Sequence, residues 1–223
     1  MSQVYFITGT DTGVGKTSVA VALLQAAAKH GLSTAAAKPV AAGCEPSGDG
    51  LRNDDALFLQ QACTTALSYE QINPFALQPA IAPHFAAARA GLRLDAQSLA
   101  LHCQTILDLN ADFTVIEGAG GWRVPLNDRE TFADIAKRLK VPVILVVDIK
   151  LGCLNHALLS AEAIRADGLA LAGWVANQAS GVAECHDEMV ADLERRLACP
   201  LVGNLPHCLD ERELVSRLNI DLL

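Results

Sequence analysis

Gly9-Thr-Asp-Thr-Gly-Val-Gly-Lys-Thr17 sets a lysine and a hydroxyl directly behind two closely spaced glycines. A glycine-permitted turn can aim successive backbone N–H groups at an anion, and a helix opening at Lys16 adds its own free donors. Phosphate is the anion that suits such a loop, with Lys16 reaching the outer phosphates and Thr17 ligating Mg²⁺. The spacing is a variant, because Thr10 stands where the strict pattern has its first glycine and Gly9 lies one place earlier. A glycine-rich turn that binds nothing is the bland alternative, and Gly-Lys-Thr at a strand-to-helix junction weighs against it.

Thr114-Val-Ile-Glu117 is an apolar strand expected to end in its carboxylate before Gly118-Ala-Gly-Gly121. An acid at the carboxyl end of a parallel strand beside a phosphate loop can hold Mg²⁺, and the glycines let backbone come close to a ligand. Lys38 ends another expected strand, on the same side as the phosphate loop, where an ammonium could balance charge on a transferring phosphoryl group. Asp54 and Asp55 open a helix, so the dipole favours either acid there, and spacing alone does not choose between them.

These residues need a scaffold that brings strand ends together. Apolar runs of strand length are expected over residues 3–8, 34–38, 114–117, 143–147, 171–176 and 201–202, alternating with helical patterns over 16–30, 55–66, 96–109, 132–139, 154–166 and 184–197. That alternation implies βαβ units and one open, doubly wound α/β domain spanning residues 1–223, with ligands bound where loops leave the carboxyl ends of the strands. Residues 39–53, rich in Gly, Pro and Asp, read as a single long loop.

Composition prunes the alternatives. The chain has 223 residues and a net charge of −8, which gives no basic field for a nucleic acid. Hydrophobic residues make up 51%, yet the longest wholly apolar run, residues 141–147, is far shorter than the ~18 residues of a membrane span. With no signal-like N-terminus, the expectation is a cytoplasmic protein with no membrane partner. The 7 cysteines show no Cys-x-x-Cys and the 6 histidines no metal spacing, so the cysteines read as reduced and mostly as small core residues, and the histidines as surface or packing residues. Cys44, in the expected long loop, could be an exposed, reactive thiol, but a passenger thiol is the favoured reading. Neither a Gly-x-Ser-x-Gly elbow nor Gly-x-Gly-x-x-Gly occurs, since Ser18 and Arg123 occupy the last glycine positions of the latter.

Taken together, the chain resembles the dethiobiotin synthetase family almost from end to end. Gly9 to Thr17 is similar to its phosphate loop, Lys38-Pro-Val-Ala to its substrate-side lysine segment, Gly50-Leu-Arg-Asn-Asp-Asp55 to its magnesium-binding aspartate region, and Glu117-Gly-Ala-Gly-Gly-Trp122 to its second acidic loop. Lys150-Leu-Gly-Cys-Leu-Asn-His156 and Gly173-Trp-Val-Ala-Asn177 are the most distinctive matches, because generic phosphate-loop proteins lack them. The resemblance implies the P-loop NTPase fold, ATP and Mg²⁺ as cofactors, and 7,8-diaminononanoate and CO₂ as further substrates. It favours Asp55 over Asp54, giving Thr17, Asp55 and Glu117 to the metal and Lys16 and Lys38 to catalysis. For the nucleotide it implies Gly13, Val14, Gly15, Lys16, Thr17, Ser18, Gly118, Ala119, Gly120, Asn177, Gln178, Pro206, His207, Cys208 and Glu213. For the diamine it implies Thr12, Lys38 and Ala42, with Gly152, Cys153, Leu154 and Asn155 meeting the substrate carboxylate of the neighbouring subunit in a homodimer.

The chain departs from that family at three places. Gly13 stands where many relatives carry an acid, Ala42 where a substrate-contacting serine is usual, and Met189 near a common aromatic position. Two rival readings remain. One is a chromosome-partitioning or septum-site ATPase, although Thr10-Asp-Thr12 lacks the extra early lysine of that class and residues 219–223 form no basic tail. The other is a nucleotide-dependent binding module without turnover, against which stand Lys16, Thr17, Lys38, Asp55 and Glu117.

Overall fold

The computed structural model describes residues 2–207 and 211–223, excepting the side chains of Glu211 and Arg212. In chain order its elements are β1 (Gln3–Gly9), α1 (Lys16–Lys29), β2 (Thr34–Ala37), β3 (Val40–Ala42), β4 (Glu45–Ser47), β5 (Gly50–Arg52), α2 (Asp54–Ala62), α3 (Tyr69–Ile72), β6 (Phe75–Leu77), α4 (Pro83–Arg89), α5 (Ala96–Leu107), β7 (Phe113–Gly121), α6 (Ala133–Leu139), β8 (Val143–Asp148), α7 (Cys153–Ala166), β9 (Leu171–Asn177), α8 (His186–Leu197), β10 (Leu201–Leu205) and α9 (Glu211–Ser216), closed by a 3-10 turn (Ile220–Leu222).

The main sheet has 6 strands in the order β10-β9-β8-β1-β7-β2, and its pairings are parallel. Every residue of β8, Val143–Asp148, is buried, as expected where helices cover both faces. In α1, buried Val19, Ala20, Leu23, Leu24 and Ala27 recur at helical spacing and turn one stripe onto the sheet. Phe6 of β1 meets Trp122 edge to face at 6.0 Å, tying the strand to the segment that follows β7. The chain leaves β1 toward β2 on one side and reaches β8 on the other, so the loop after β1 lies at the switch in strand order, where such sheets bind ligands.

The structure corrects several expectations. Residues 39–53 are not one loop: β3 pairs in parallel with β6, and β4 forms a hairpin with β5. Strands of three residues are too short to show a period of two in the sequence. The second helix stops at Ala62, where Cys63 turns to extended backbone, and does not run on to residue 66. Helices α3, α4 and α9 were not anticipated; α3 is a single turn held by a Ser68–Gln71 capping box. The strand bearing Glu117 continues through Gly121, because glycines permit a close approach to β1: a Cβ on Gly118 would stand 3.0 Å from Phe6 Cε1. No helix among the described residues is long and apolar enough to cross a membrane.

Candidate active site

The phosphate loop folds back over its own first glycine. A Cβ on Gly9 would lie 2.5 Å from Val14 Cγ2 and 3.1 Å from Lys16 Nζ, which accounts for a glycine one place earlier than the strict spacing. Gly13 and Gly15 adopt φ of 74° and 88°, a region that glycine enters without a Cβ penalty. Val14 is buried and its carbonyl accepts a hydrogen bond from Asn177 Nδ2 at 2.8 Å, joining the end of β9 to the loop. Lys16 reaches back across the loop to donate to the Asp11 carbonyl at 2.8 Å. Burial pulls its pKa down to about 8, with nearby Lys38 adding to the effect and Glu117 and Asp55 opposing it.

Beside the loop stands a cluster of opposite charges. Lys38, immediately after β2, donates to Asp55 Oδ2 at 3.0 Å and to Glu117 Oε1, while the Thr17 hydroxyl donates to the same Glu117 oxygen at 2.9 Å. Burial alone would lower the Lys38 pKa, but Glu117 and Asp55 more than reverse this and hold it above the ordinary lysine value. Burial likewise works to raise the Asp55 pKa, and Lys38 together with Thr17 brings it below the usual carboxylate range. The structure brings Asp55 to Lys38 and leaves Asp54 exposed.

These groups line a cleft of about 680 Å³, whose walls include Thr12, Gly13, Gly15, Ser18, Ala42, Ala119 and Gly120 as well as the charged cluster. Sequence reading missed its apolar side, formed by Val40, Ala41, the turn of residues 80–83 and Val124. The turn carries no chemical signature, and the pairing of β3 with β6, continued by the Gly43 N–H donating to the Pro79 carbonyl at 3.2 Å, brings it near Lys38. Glu117 is fully buried, and its Oε2 has no hydrogen-bond partner among the described residues. An orphaned carboxylate oxygen next to a threonine hydroxyl and a half-open aspartate is a hard-oxygen donor set, which fits Mg²⁺.

The other expected positions fall outside the cleft lining. Gln178 and His207 meet at the ends of β9 and β10, where the Gln178 N–H donates to the Leu205 carbonyl at 3.1 Å and the His207 N–H to Gln178 Oε1 at 3.3 Å. Pro206 lies between those strand ends. Glu213 is exposed on α9, which packs on α1, and Cys208 lies outside the described residues. Gly118 is packed within β7. Gly152, at φ 94°, caps α7, with Cys153 buried against Met189 and Leu154 and Asn155 toward the surface. Cys44 is buried, and burial raises its thiol pKa, so it is no exposed nucleophile.

Three comparisons bear on this site. Residues 3–211 match a family model described as an AAA domain. The ATP-dependent dethiobiotin synthetase BioD of Pseudomonas aeruginosa is 55% identical over 218 residues, covering 98% of this chain and 96% of that protein. Proteins of the same name from Marinobacter nauticus and Pseudescherichia vulneris are 55% and 48% identical, over 91% and 92% of this chain and 87% and 85% of their own lengths. Among solved structures, a ParA family ATPase from Chlorobium tepidum superposes with a TM-score of 0.58 at 12% identity, over 98% of this chain and 91% of that one. The MinD cell division protein of Aquifex aeolicus gives 0.54 at 16%, over 97% and 86%. At those identities the structural likeness speaks to the fold alone.

Proposed function

The chain belongs to the family of ATP-dependent dethiobiotin synthetases, and from that membership we propose that its cleft closes the ureido ring of dethiobiotin in biotin synthesis. CO₂ carbamylates one amine of 7,8-diaminononanoate with loss of a proton. A carbamate oxygen then takes the γ-phosphoryl group of ATP, releasing ADP, and the second amine attacks the activated carbonyl and expels phosphate. The observation that carries this reading is the convergence of Lys16, Thr17, Lys38, Asp55 and Glu117 in one cleft. No protein nucleophile is needed, because positioning and charge neutralisation suffice for such a transfer.

In this reading Lys16 grips the outer phosphates, and Lys38 offers its ammonium to the carbamate and the incoming phosphoryl group. Thr17, Asp55 and Glu117 would hold Mg²⁺, which when bound neutralises charge on the phosphates. Asn177 would face the base, and Gln178, Pro206, His207 and Glu213 would contact the rest of the nucleotide. The apolar turn of residues 80–83 suits the aliphatic chain of the diamine. Gly152 to Asn155 lie away from this chain's own cleft lining, and Leu151 beside them is fully exposed, which supports their serving a second subunit in a cytoplasmic homodimer.

The test is to incubate the protein with ATP, Mg²⁺, bicarbonate and 7,8-diaminononanoate and to follow dethiobiotin by mass alongside phosphate. Product is expected only with all four present. Phosphate release at the same rate without the diamine would transfer the assignment to a partitioning-type ATPase; bound nucleotide without turnover would transfer it to a binding module.

A further inference from the structure

The Lys38–Asp55 pair is held at both ends by a circuit of hydrogen bonds to which the reaction above assigns no role. The Asn53 amide N–H donates to Tyr69 Oη at 2.8 Å, the Tyr69 hydroxyl donates to Asn73 Oδ1 at 3.1 Å, and Asn73 Nδ2 donates to the Lys38 carbonyl at 2.7 Å. At the other end, the Asp55 N–H donates to Asn53 Oδ1 at 3.1 Å, and Lys38 Nζ donates to Asp55 Oδ2 at 3.0 Å. The path thus leaves the Lys38 backbone and returns to the Lys38 ammonium.

Every donor in the circuit faces the same way round, and at the Tyr69 hydroxyl and the Asn73 side-chain amide the bond received strengthens the bond given. Tyr69 is 6% exposed and Asn73 2%, so neither can exchange its partner for water without leaving a buried polar group unsatisfied. Burial raises the Tyr69 pKa, against the lowering effect of the Asn53 N–H, so the hydroxyl remains a donor at neutral pH. The Arg52 guanidinium lies 4.1 Å from the centre of the Tyr69 ring and fixes the ring from outside without touching the hydroxyl. Helix α3 supplies the anchor, since its Ile72 carbonyl also accepts the Lys38 N–H at 2.8 Å.

We propose that Tyr69 is a positioning residue whose hydroxyl sets Lys38 and Asp55 at their working separation through Asn73 and Asn53. Its kinetic test rests on the ring-closing reaction proposed above; its spectroscopic test does not. Tyr69→Phe deletes the hydroxyl and keeps the ring under Arg52. The expected result is a kcat for dethiobiotin lowered roughly 10- to 100-fold, the scale of a small misplacement of a reacting group, with KM for ATP near wild type and a melting temperature lowered by several degrees as the Asn53 N–H and Asn73 Oδ1 lose their partner. Arg52→Ala, which frees the ring face and spares the hydroxyl, is expected to keep kcat near wild type.

Independently of turnover, the ¹H–¹⁵N signal of the buried Lys38 ammonium, assigned by its loss in Lys38→Ala, is expected to shift and broaden in Tyr69→Phe and not in Arg52→Ala. If Tyr69→Phe does not fold, Asn73→Ser breaks the next bond of the same circuit and takes the same readouts. A wild-type kcat in Tyr69→Phe overturns the proposal, as does an equal loss in Arg52→Ala, which would assign the effect to ring packing. If the wild-type protein makes no dethiobiotin, the ring-closing reading falls, and the Lys38 signal alone decides the circuit.

Discussion

Gly15 and Asn177 compete for one volume: a Cβ built on Gly15 would stand 2.1 Å from Asn177 Nδ2. That same nitrogen donates to the Val14 carbonyl, so the end of β9 is locked to the phosphate loop across the intervening β8. Gly15→Ala would therefore displace Asn177 as well as place an L-residue at φ 88°. The backbone cost is about 1–2 kcal/mol, and loss of the displaced bond about 1 kcal/mol more. Calorimetric titration with ATP is expected to show binding largely lost, and urea unfolding a lowered midpoint. ATP affinity unchanged in Gly15→Ala would refute the link between the two residues.

Removing Lys38 exposes a second dependence. Lys38 carries the charge that balances Glu117 and Asp55, and Glu117 is fully buried. Lys38→Met takes from that carboxylate its hydrogen-bonded cation and leaves Lys16 as the nearby positive charge, a change that costs up to about 3–5 kcal/mol for a broken buried pair. Dethiobiotin synthesis is expected to stop. Mg²⁺ should raise the urea midpoint of Lys38→Met more than that of wild type, because the divalent ion has the same carboxylates to neutralise. Equal Mg²⁺ responses in the two proteins would remove Asp55 and Glu117 from the metal site.

The depressed Lys16 pKa of about 8 makes nucleotide binding pH-dependent. Phosphate stabilises the charged ammonium, so binding takes up a proton wherever free Lys16 has lost it. ATP affinity should hold steady below about pH 8 and weaken as pH rises through that value, with proton uptake visible as a buffer-dependent heat. The stability effect has the opposite sign: folded Lys16 binds its proton more weakly than unfolded Lys16, so it contributes rising stability between about pH 8 and the ordinary lysine value. Affinity that is flat from pH 7 to 9.5 would place Lys16 away from the phosphates.

Residues that do chemistry through their own side chains were legible in the sequence because their types and positions at strand ends carry the signal. Lys16, Thr17, Lys38, Asp55 and Glu117 come together as the α/β pattern implies. The choice of Asp55 over Asp54 required the family resemblance, since both open the same helix; in the fold Asp55 meets Lys38 and Asp54 is exposed. What stayed hidden acts through geometry. Tyr69 opens a one-turn helix too short for any period and Asn73 caps its end, and their partners include backbone groups at Asn53 and Lys38, whose spatial nearness no sequence pattern encodes. Strands β3 to β6 were missed for the same reason: three residues cannot display alternation.

Ala42 tests how finely the diamine pocket is tuned. It ends β3, lines the cleft, and is followed by Gly43, whose added Cβ would meet Ala80 at 3.3 Å, so the wall here is close to the turn of residues 80–83. A serine at position 42 adds one hydroxyl to that wall and no other bulk, and the Ala42 side chain is only partly buried, so the change should fold normally. One neutral hydrogen bond is worth about 0.5–1.5 kcal/mol, which predicts a KM for 7,8-diaminononanoate lowered about two- to tenfold in Ala42→Ser. KM for ATP should not change, because the phosphate loop and Asn177 lie on other elements. If both constants moved together, the hydroxyl would be acting on the cleft as a whole; if neither moved, Ala42 would stand outside the reach of the diamine and the substrate would have to lie nearer Thr12.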